Sequence, residues 1–155
     1  MTIKLTRSGF EKMKAALHKL KTVKRREVVN AIEQARLKGD LTENAEYDAA
    51  KDEQFHVEKR IAELETKLSD VRIIDDEPID PDRAFLGASV TLQEQGSSRE
   101  FVYMIVSKEE SDFNAGKISA ESPVGQALLG KKVGAVVNVS LPRGSVSYKI
   151  LKIER

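Results

Sequence analysis

Hydrophobic positions in the first 75 residues recur at the spacing of a coiled coil. In the second half of this segment, apolar residues follow one another at alternating intervals of three and four, with one polar member, Gln54: Tyr47, Ala50, Gln54, Val57, Ile61, Leu64, Leu68 and Val71. The first half begins in the same way, at Phe10, Met13, Leu17 and Leu20. Because this alternation places one face of a helix against a partner helix, it predicts two packed helices.

The first of these helices contains a shift of phase. Lys24 falls on the apolar face, and the pattern resumes one residue late, at Val28, Ala31 and Ala35. Such a shift is expected to change the supercoil locally. Gly39 then interrupts both patterns, which predicts an antiparallel hairpin. Arms of about 28 residues would extend about 40 Å at 1.5 Å per residue.

The remainder of the chain changes to a strand-like period. Residues 76–83 are acidic, contain two of the four prolines and are predicted to be a linker. Short β-branched and aromatic runs predict strands at 88–92, 101–106, 133–141 and 146–153, the last two joined by a turn at 142–145. Ser122 and Pro123 open a short helix that Gly130 ends. The prediction is an α+β protein with a coiled-coil domain at 1–75 and an antiparallel-sheet domain with one short helix at 84–155.

Charge is strongly segregated along the chain, although the net charge is only +1. Residues 1–38 hold 11 Lys/Arg and 3 Asp/Glu, whereas residues 39–75 hold 5 and 11. This predicts two neighbouring arms with opposite charges facing each other. The chain has no cysteine, which excludes disulfides and thiol chemistry. No apolar run approaches the roughly 20 residues of a membrane span, so no membrane partner is expected.

Acidic residues concentrate at the predicted tip of the hairpin. Residues 39–53 carry six acids and one base, Lys51. Asp40 and Glu43 are three residues apart, so in a helical turn both carboxylates would lie on one side and could share a hard cation. The same spacing fits a capping box in which Asp40 caps the second helix and Glu43 reaches back. Spacing alone favours the capping box over metal chemistry, and a solvated acidic surface is a third alternative.

Two long motifs resemble the signatures of the bacterial Gre transcript-cleavage factors, closest to the GreA type. The first is Ala35-Arg36-x-x-Gly39-Asp40-Leu41-Thr42-Glu43-Asn44-Ala45-Glu46-Tyr47-x-Ala49-Ala50-Lys51. The second is Ile118-Ser119-x-x-Ser122-Pro123-x-Gly125-x-Ala127-Leu128-Leu129-Gly130-Lys131-Lys132-x-Gly134. The resemblance covers the whole chain and implies an FKBP-like second domain. It moves the interpretation of the tip acids from capping towards chemistry, despite unusual residues at Asp48 and Ala135.

The resemblance implies a transcription elongation factor that is not itself an enzyme. Such a factor enters the secondary channel of RNA polymerase and stimulates the polymerase to cleave the nascent RNA 3′ end of a backtracked complex. Asp40 and Glu43 would support a second Mg²⁺, held jointly with the polymerase, and would orient water, while Asn44 and Tyr47 position the tip. Arg36 and Lys51 are candidates for RNA contact, although an ion pair across the hairpin is at least as good an interpretation of Lys51. In the second motif, Ser122 and Pro123 would dock on the polymerase.

Two other function classes remain as alternatives. One is an inhibitor that occupies the secondary channel without cleavage, and the other is a chaperone or isomerase that acts through residues 84–155. The resemblance further implies a bacterial, cytoplasmic, DNA-binding protein that acts as a monomer. His18 and His56 have no companion ligands at metal-binding spacing, so they are interpreted as surface or packing residues.

Overall fold

The helices and strands are taken from a computed structural model, which describes residues 2–40, 44–77 and 80–155. In chain order they are β1 (Ile3–Leu5), α1 (Arg7–Lys19), a π-helical turn (Leu20–Lys24), α2 (Arg25–Arg36), α3 (Ala45–Leu68), β2 (Val71–Ile73), β3 (Ser89–Glu94), β4 (Glu100–Val106), β5 (Lys117–Ser119), α4 (Pro123–Leu128), β6 (Val136–Leu141) and β7 (Gly144–Glu154). None of the described helices is both long and apolar enough to cross a membrane.

The described chain divides into two compact units. The first, which we call the hairpin unit, holds Phe10–Val71 together with the N-terminal residues up to Ile3. The second, the sheet unit, holds Arg72–Arg155 together with Lys4–Gly9. The first turn of α1 therefore belongs to the sheet unit, although the rest of that helix belongs to the hairpin unit.

The apolar stripe predicted from the heptad pattern forms the core of the hairpin unit. Four of its members in α3 are buried, namely Ala50, Val57, Ile61 and Leu64. In α2 the buried residues are Val28 and Ala35, with Ile32 half-buried against the same cluster. Ala31, which the pattern places on the stripe, is exposed instead, because Ile32 takes the inward position. The helical hairpin is thus confirmed, with this one position wrong.

The π-helical turn lies where the sequence pattern shifts by one residue. The backbone N–H of Arg25 donates to the carbonyl of Leu20, five residues earlier, rather than to a carbonyl four residues earlier. A turn closed in this way contains one more residue than an α-helical turn. The extra residue brings both halves of the first arm back to face α3. The helix geometry thus changes at the phase shift, in the form of a π turn, and the expected change of supercoil stays a prediction.

Ion pairs join the basic first arm to the acidic second arm, at Lys21–Glu65 (3.8 Å), Lys24–Glu53 (2.8 Å) and Arg25–Glu58 (2.8 Å). The prediction of oppositely charged arms lying side by side is confirmed. Arg25 binds Glu58 through two guanidinium nitrogens, and these hydrogen bonds hold the pKa of the Glu58 carboxyl below its ordinary value. The hydrogen bond that Lys24 donates to the Glu53 carboxylate raises the pKa of Lys24 above its ordinary value.

The sheet unit contains five strands in the order β5-β4-β3-β7-β6. Its pairs are antiparallel except for β4 and β5, which run parallel, so the prediction of a purely antiparallel sheet is wrong at this edge. The buried apolar side chains between the sheet and α4 form its core: Ala84, Ala88, Val90, Leu92, Ile105, Ile118, Leu128, Val137, Val139 and Ile150. The α+β class is confirmed.

Helix α4 begins where the sequence predicts it. The Ser122 side chain accepts a hydrogen bond from the N–H of Gly125 at 3.1 Å, and Pro123 is the first helical residue. The helix also approaches β5 closely, because a Cβ added to Gly125 would lie 2.1 Å from the carbonyl oxygen of Ser119. Only glycine fits at this position without a displacement of the backbone.

Candidate functional site

The tip of the hairpin unit begins where α2 ends. The N–H of Leu37 still bonds the carbonyl of Glu33 at 3.1 Å, and the N–H of Lys38 bonds that of Ala35 at 3.2 Å. The next residue, Gly39, has a φ of +134°, a backbone conformation that residues with a Cβ rarely adopt. This turn ends the helix and places Asp40 in an exposed position directly after it.

Asn44 connects the two sides of the tip through its side-chain amide. Its Oδ1 accepts a hydrogen bond from the N–H of Tyr47 at 3.0 Å, which makes Asn44 the N-cap of α3. Its Nδ2 donates to the carbonyl of Ala35 at 2.7 Å, in the last turn of α2. One side chain therefore both begins the second arm and ties it to the end of the first.

The capping-box interpretation of Asp40 is wrong. Helix α3 begins at Ala45 and is capped by Asn44, so Asp40 lies four residues before the cap. An N-cap oxygen can reach only the N–H groups two or three residues further on. The N-cap role that the spacing favoured for Asp40 therefore belongs to Asn44.

The arms come close together next to the tip because the residues between them are small. Ala35 and Ala50 are 3% and 7% exposed, respectively. Outside this contact, Lys38 pairs with Glu46 at 2.9 Å, with both side chains largely exposed. Tyr47 is half-buried at the start of α3. Beside these small residues, the Asn44 amide reaches the carbonyl of Ala35.

The two acids predicted to support a metal are only partly described. Asp40 is exposed, whereas Glu43 lies outside the described residues, together with Leu41 and Thr42. Among the residues that are described, no three His, Cys, Asp or Glu side chains form a group that could hold a metal ion. Carboxylate oxygens are ligands that suit Mg²⁺, and Mg²⁺ is usually completed by water and phosphate. The exposed Asp40 carboxylate is an oxygen donor of the kind that Mg²⁺ takes, and a magnesium ion supported by Asp40 and Glu43 stays a prediction.

The predicted RNA-contact residues lie on either side of the tip. Arg36 is the last residue of α2 and is exposed. Lys51 is exposed on α3, where its ammonium group donates to the side chain of Gln54 at 3.0 Å. The structure thus shows Lys51 bonded along its own helix, and the roles of both residues in RNA contact stay predictions.

The predicted polymerase-docking residues, Ser122 and Pro123, lie in the sheet unit at the start of α4. With Tyr103 and Phe113 they line a largely apolar groove of about 290 Å³. The Phe113 ring is 74% exposed and lies 6.2 Å from the ring of Tyr103, centre to centre. The groove presents aromatic surface beside the hydroxyl of Ser122, although that hydroxyl is occupied by the helix cap and by the Ser119 carbonyl at 2.6 Å.

Comparison with known proteins identifies both parts of the chain. The family described as transcription elongation factor, N-terminal, matches residues 3–73, and that described as transcription elongation factor, GreA/GreB, C-terminal, matches residues 79–155. The chain is 48% identical over 151 residues to transcription elongation factor GreA of Syntrophomonas wolfei, covering 97% of this chain and 95% of that one. It is also 48% identical over 154 residues to GreA of Streptococcus sanguinis, covering 99% and 96%. The chain belongs to the GreA/GreB family of transcription elongation factors.

Solved structures also resemble this member of the GreA/GreB family. GreA factor homolog 1 of Thermus thermophilus is 28% identical with a TM-score of 0.46, and the alignment covers the whole of both chains. A GreA/GreB factor of Nitrosomonas europaea is 20% identical with a TM-score of 0.45, covering 100% of this chain and 99% of that one.

Sequence reasoning missed one contact at the tip. Resemblance assigned Asn44 a positioning role, but the bond from its Nδ2 to Ala35 was not foreseen. Asn is among the best N-cap residues and stands directly before α3, so its capping role could have been found. Its second partner, the carbonyl of Ala35 nine residues earlier, could not have been found in this way, because that contact depends on the distance between the two arms.

Proposed function

We propose that this protein binds RNA polymerase through its secondary channel and stimulates the polymerase to cleave the nascent RNA 3′ end of a backtracked complex. The observation that carries this proposal is the placement of the family motif. Asp40 is exposed directly after Gly39, at the end of the first of two packed helices, and Asn44 begins the second. A pair of packed helices that carries acids where its two arms meet could bring those acids to the catalytic centre of another protein.

At the tip, Asp40 and Glu43 would supply oxygen ligands to a Mg²⁺ that the polymerase also holds. A second metal ion, when bound, supplies activation of a water molecule and stabilisation of the leaving oxygen in phosphodiester cleavage. The described residues on either side of the acids would hold the two ends of this segment. Asn44 fixes the backbone on one side of the acids, and the end of α2 fixes it on the other.

Charge and surface shape support contacts away from the acids. The exposed guanidinium of Arg36 lies four residues before Asp40, where it would contact RNA phosphates without regard to sequence. Lys51 is a second candidate for such a contact. In the sheet unit, the groove beside Ser122 and Pro123 would dock on the polymerase surface. We further propose that the protein works as a monomer in the bacterial cytoplasm, and that it meets DNA only within the transcription complex.

The proposal is tested with purified backtracked RNA polymerase complexes that carry a labelled transcript, at several Mg²⁺ concentrations. We expect Asp40→Asn and Glu43→Gln each to lower the rate of transcript shortening by more than the about 10- to 100-fold typical for loss of an outer-shell partner, because each change alters a metal ligand itself. Polymerase binding, measured by competition with the wild-type protein, should remain. Asp48→Asn is the matched control, because it removes the same charge from the first turn of α3, beyond the tip acids.

Three outcomes contradict parts of the proposal. Full cleavage with Asp40→Asn would exclude the assigned role of that carboxylate. An equal loss with Asp48→Asn would show that cleavage depends on overall negative charge and not on particular ligands. A wild-type protein that slows elongation and releases no short 3′ RNA would support the alternative of a channel-binding inhibitor.

A further inference from the structure

Helix α1 begins with a capping arrangement whose acid comes from a distant part of the chain. Thr6 stands before the helix, and its Oγ1 accepts a hydrogen bond from the N–H of Gly9 at 3.0 Å. In an ordinary capping box, the residue at the position of Gly9 is a Glu or Gln that reaches back to the N–H of the cap. Here that N–H donates to Oε2 of Glu110 at 2.7 Å, and the Thr6 hydroxyl donates to Oε1 at 2.6 Å.

The glycine at the third helical position is explained by this carboxylate. A Cβ added to Gly9 would lie 2.1 Å from Oε1 of Glu110 and 2.2 Å from its Cδ. Gly9 is buried, as is Thr6, which is only 6% exposed. Glu110 thus occupies the space that the side chain of a local capping box would fill. Glycine is unfavourable in a helix by about 1 kcal/mol relative to alanine, and the two hydrogen bonds that Glu110 accepts from Thr6 offset this cost.

Glu110 ties the first turn of α1 to the sheet unit. It lies in the turn that follows β4, where its own N–H bonds the carbonyl of Ser107 at 3.0 Å. A second acid acts beside it, because Oδ1 of Asp75 accepts from the N–H of Arg7 at 3.2 Å. The N–H groups at a helix start lack partners within the helix. At the start of α1, carboxylates from elsewhere in the sheet unit accept from the N–H groups of Thr6 and Arg7, while the Thr6 hydroxyl accepts from that of Gly9.

We propose that Glu110 is a positioning residue for the chemistry at the hairpin tip. By holding the first turn of α1 in the sheet unit, it fixes the point from which the first arm of the hairpin starts. This inference rests on the proposed cleavage function, because the position of the first residues of the arm matters only if the acids at its other end must reach the polymerase active centre. Misplacement of catalytic groups by about 1 Å costs on the order of 100-fold in rate, so a loosened start should reduce cleavage.

The test compares Glu110→Ala with Glu109→Ala, which removes the same charge from the neighbouring residue. Amide hydrogen exchange should accelerate about tenfold or more at Thr6 in Glu110→Ala, because its N–H loses a bond to a charged acceptor. The maximum rate of transcript cleavage should fall about tenfold. The factor concentration that gives half of that rate should change much less, because the tip acids and the docking groove are untouched. If Glu110→Ala does not fold, Glu110→Gln removes one of the two bonds and takes its place.

A rescue variant separates anchoring from simple capping. Gly9→Glu combined with Glu110→Ala rebuilds a local capping box in the space that the carboxylate leaves. We expect this double variant to restore slow exchange at Thr6 while cleavage stays low. Restored cleavage would overturn the positioning role, as would a Glu110→Ala variant as active as Glu109→Ala. A wild-type protein with no cleavage activity would overturn the proposed function and the positioning role together, and normal exchange at Thr6 in Glu110→Ala would refute the anchor itself.

Discussion

Replacement of Asn44 by alanine is expected to destabilise the hairpin unit by about 2 kcal/mol. The bond from the N–H of Tyr47 to Oδ1 is an N-cap interaction, and its loss costs about 1 kcal/mol. The bond from Nδ2 to the carbonyl of Ala35 contributes about 1 kcal/mol more, the typical net value for an intramolecular hydrogen bond. The two losses add because alanine can replace neither the acceptor nor the donor.

Substitution by aspartate divides this loss into its two parts. Asn44→Asp keeps an oxygen that caps α3 but removes the donor that reaches Ala35, so we expect a loss of about 1 kcal/mol. Asn30→Ala is the control, because Asn30 is exposed on α2 and alanine favours helix. The free energies of unfolding are measured by urea denaturation followed by the helical circular dichroism signal. That signal reports mainly the hairpin unit, since α4, which is the one α-helix lying wholly in the sheet unit among the described residues, has only six residues.

The reasoning fails if Asn44→Ala unfolds at the same urea concentration as the wild type. It also fails in part if Asn44→Asp is as unstable as Asn44→Ala, because the cap bond would then contribute nothing. A loss in Asn30→Ala of similar size would show that the assay responds to any change in the helices. Transcript cleavage by the same variants should fall in the order of their instability if Asn44 acts by holding the tip.

Further predictions concern the π turn, an ion pair and a close backbone contact. Deletion of Thr22 should give a continuous α-helix and change the free energy of unfolding by less than about 1 kcal/mol. Deletion of Lys59 from α3 should lower that free energy by several kcal/mol, because it turns the apolar stripe of α3 away from the first arm. Urea denaturation measures the free energy of unfolding of both variants. Arg25→Met should be less stable than the wild type at neutral pH. This difference in stability should vanish as the pH falls through the lowered pKa of Glu58, because the protonated carboxyl no longer binds the guanidinium. Urea unfolding midpoints of both proteins between pH 7 and 3 test this direction. Gly125→Ala should destabilise the sheet unit by at least about 2 kcal/mol, seen as a lower melting temperature, because its Cβ meets a carbonyl oxygen of β5.

The long elements could be predicted from the sequence because their pattern repeats many times. The heptad spacing from Tyr47 to Leu68 identified α3 and its buried face. The phase shift at Lys24 marked the place of the π turn, although the pattern alone could not say which helix geometry would absorb it. Short elements were harder. β1, β2 and β5 have three residues each, too few for alternation to be recognised.

The helix starts show a different limit of sequence reasoning. The motif from Asp40 to Glu43 has the spacing of a capping box, yet the helix begins later, at Ala45. At α1 the spacing of a capping box is absent, because Gly9 stands where an acid is expected, yet the bonds of a capping box are present through Glu110. Local spacing identifies residues able to cap a helix. Which of them does so depends on side chains that tertiary structure brings from far along the chain.

The same dependence on distant partners explains how the tip is held. The larger apolar side chains of the hairpin unit cluster around Val28 and Val57, and towards the tip the buried residues are Ala35 and Ala50. A buried alanine contributes little more than one methyl group, about 0.8 kcal/mol. Exposed ion pairs contribute about 0–1 kcal/mol. The two bonds of Asn44 are therefore as large as the local apolar contribution. A tip held in this way therefore opens at a cost of only a few kcal/mol.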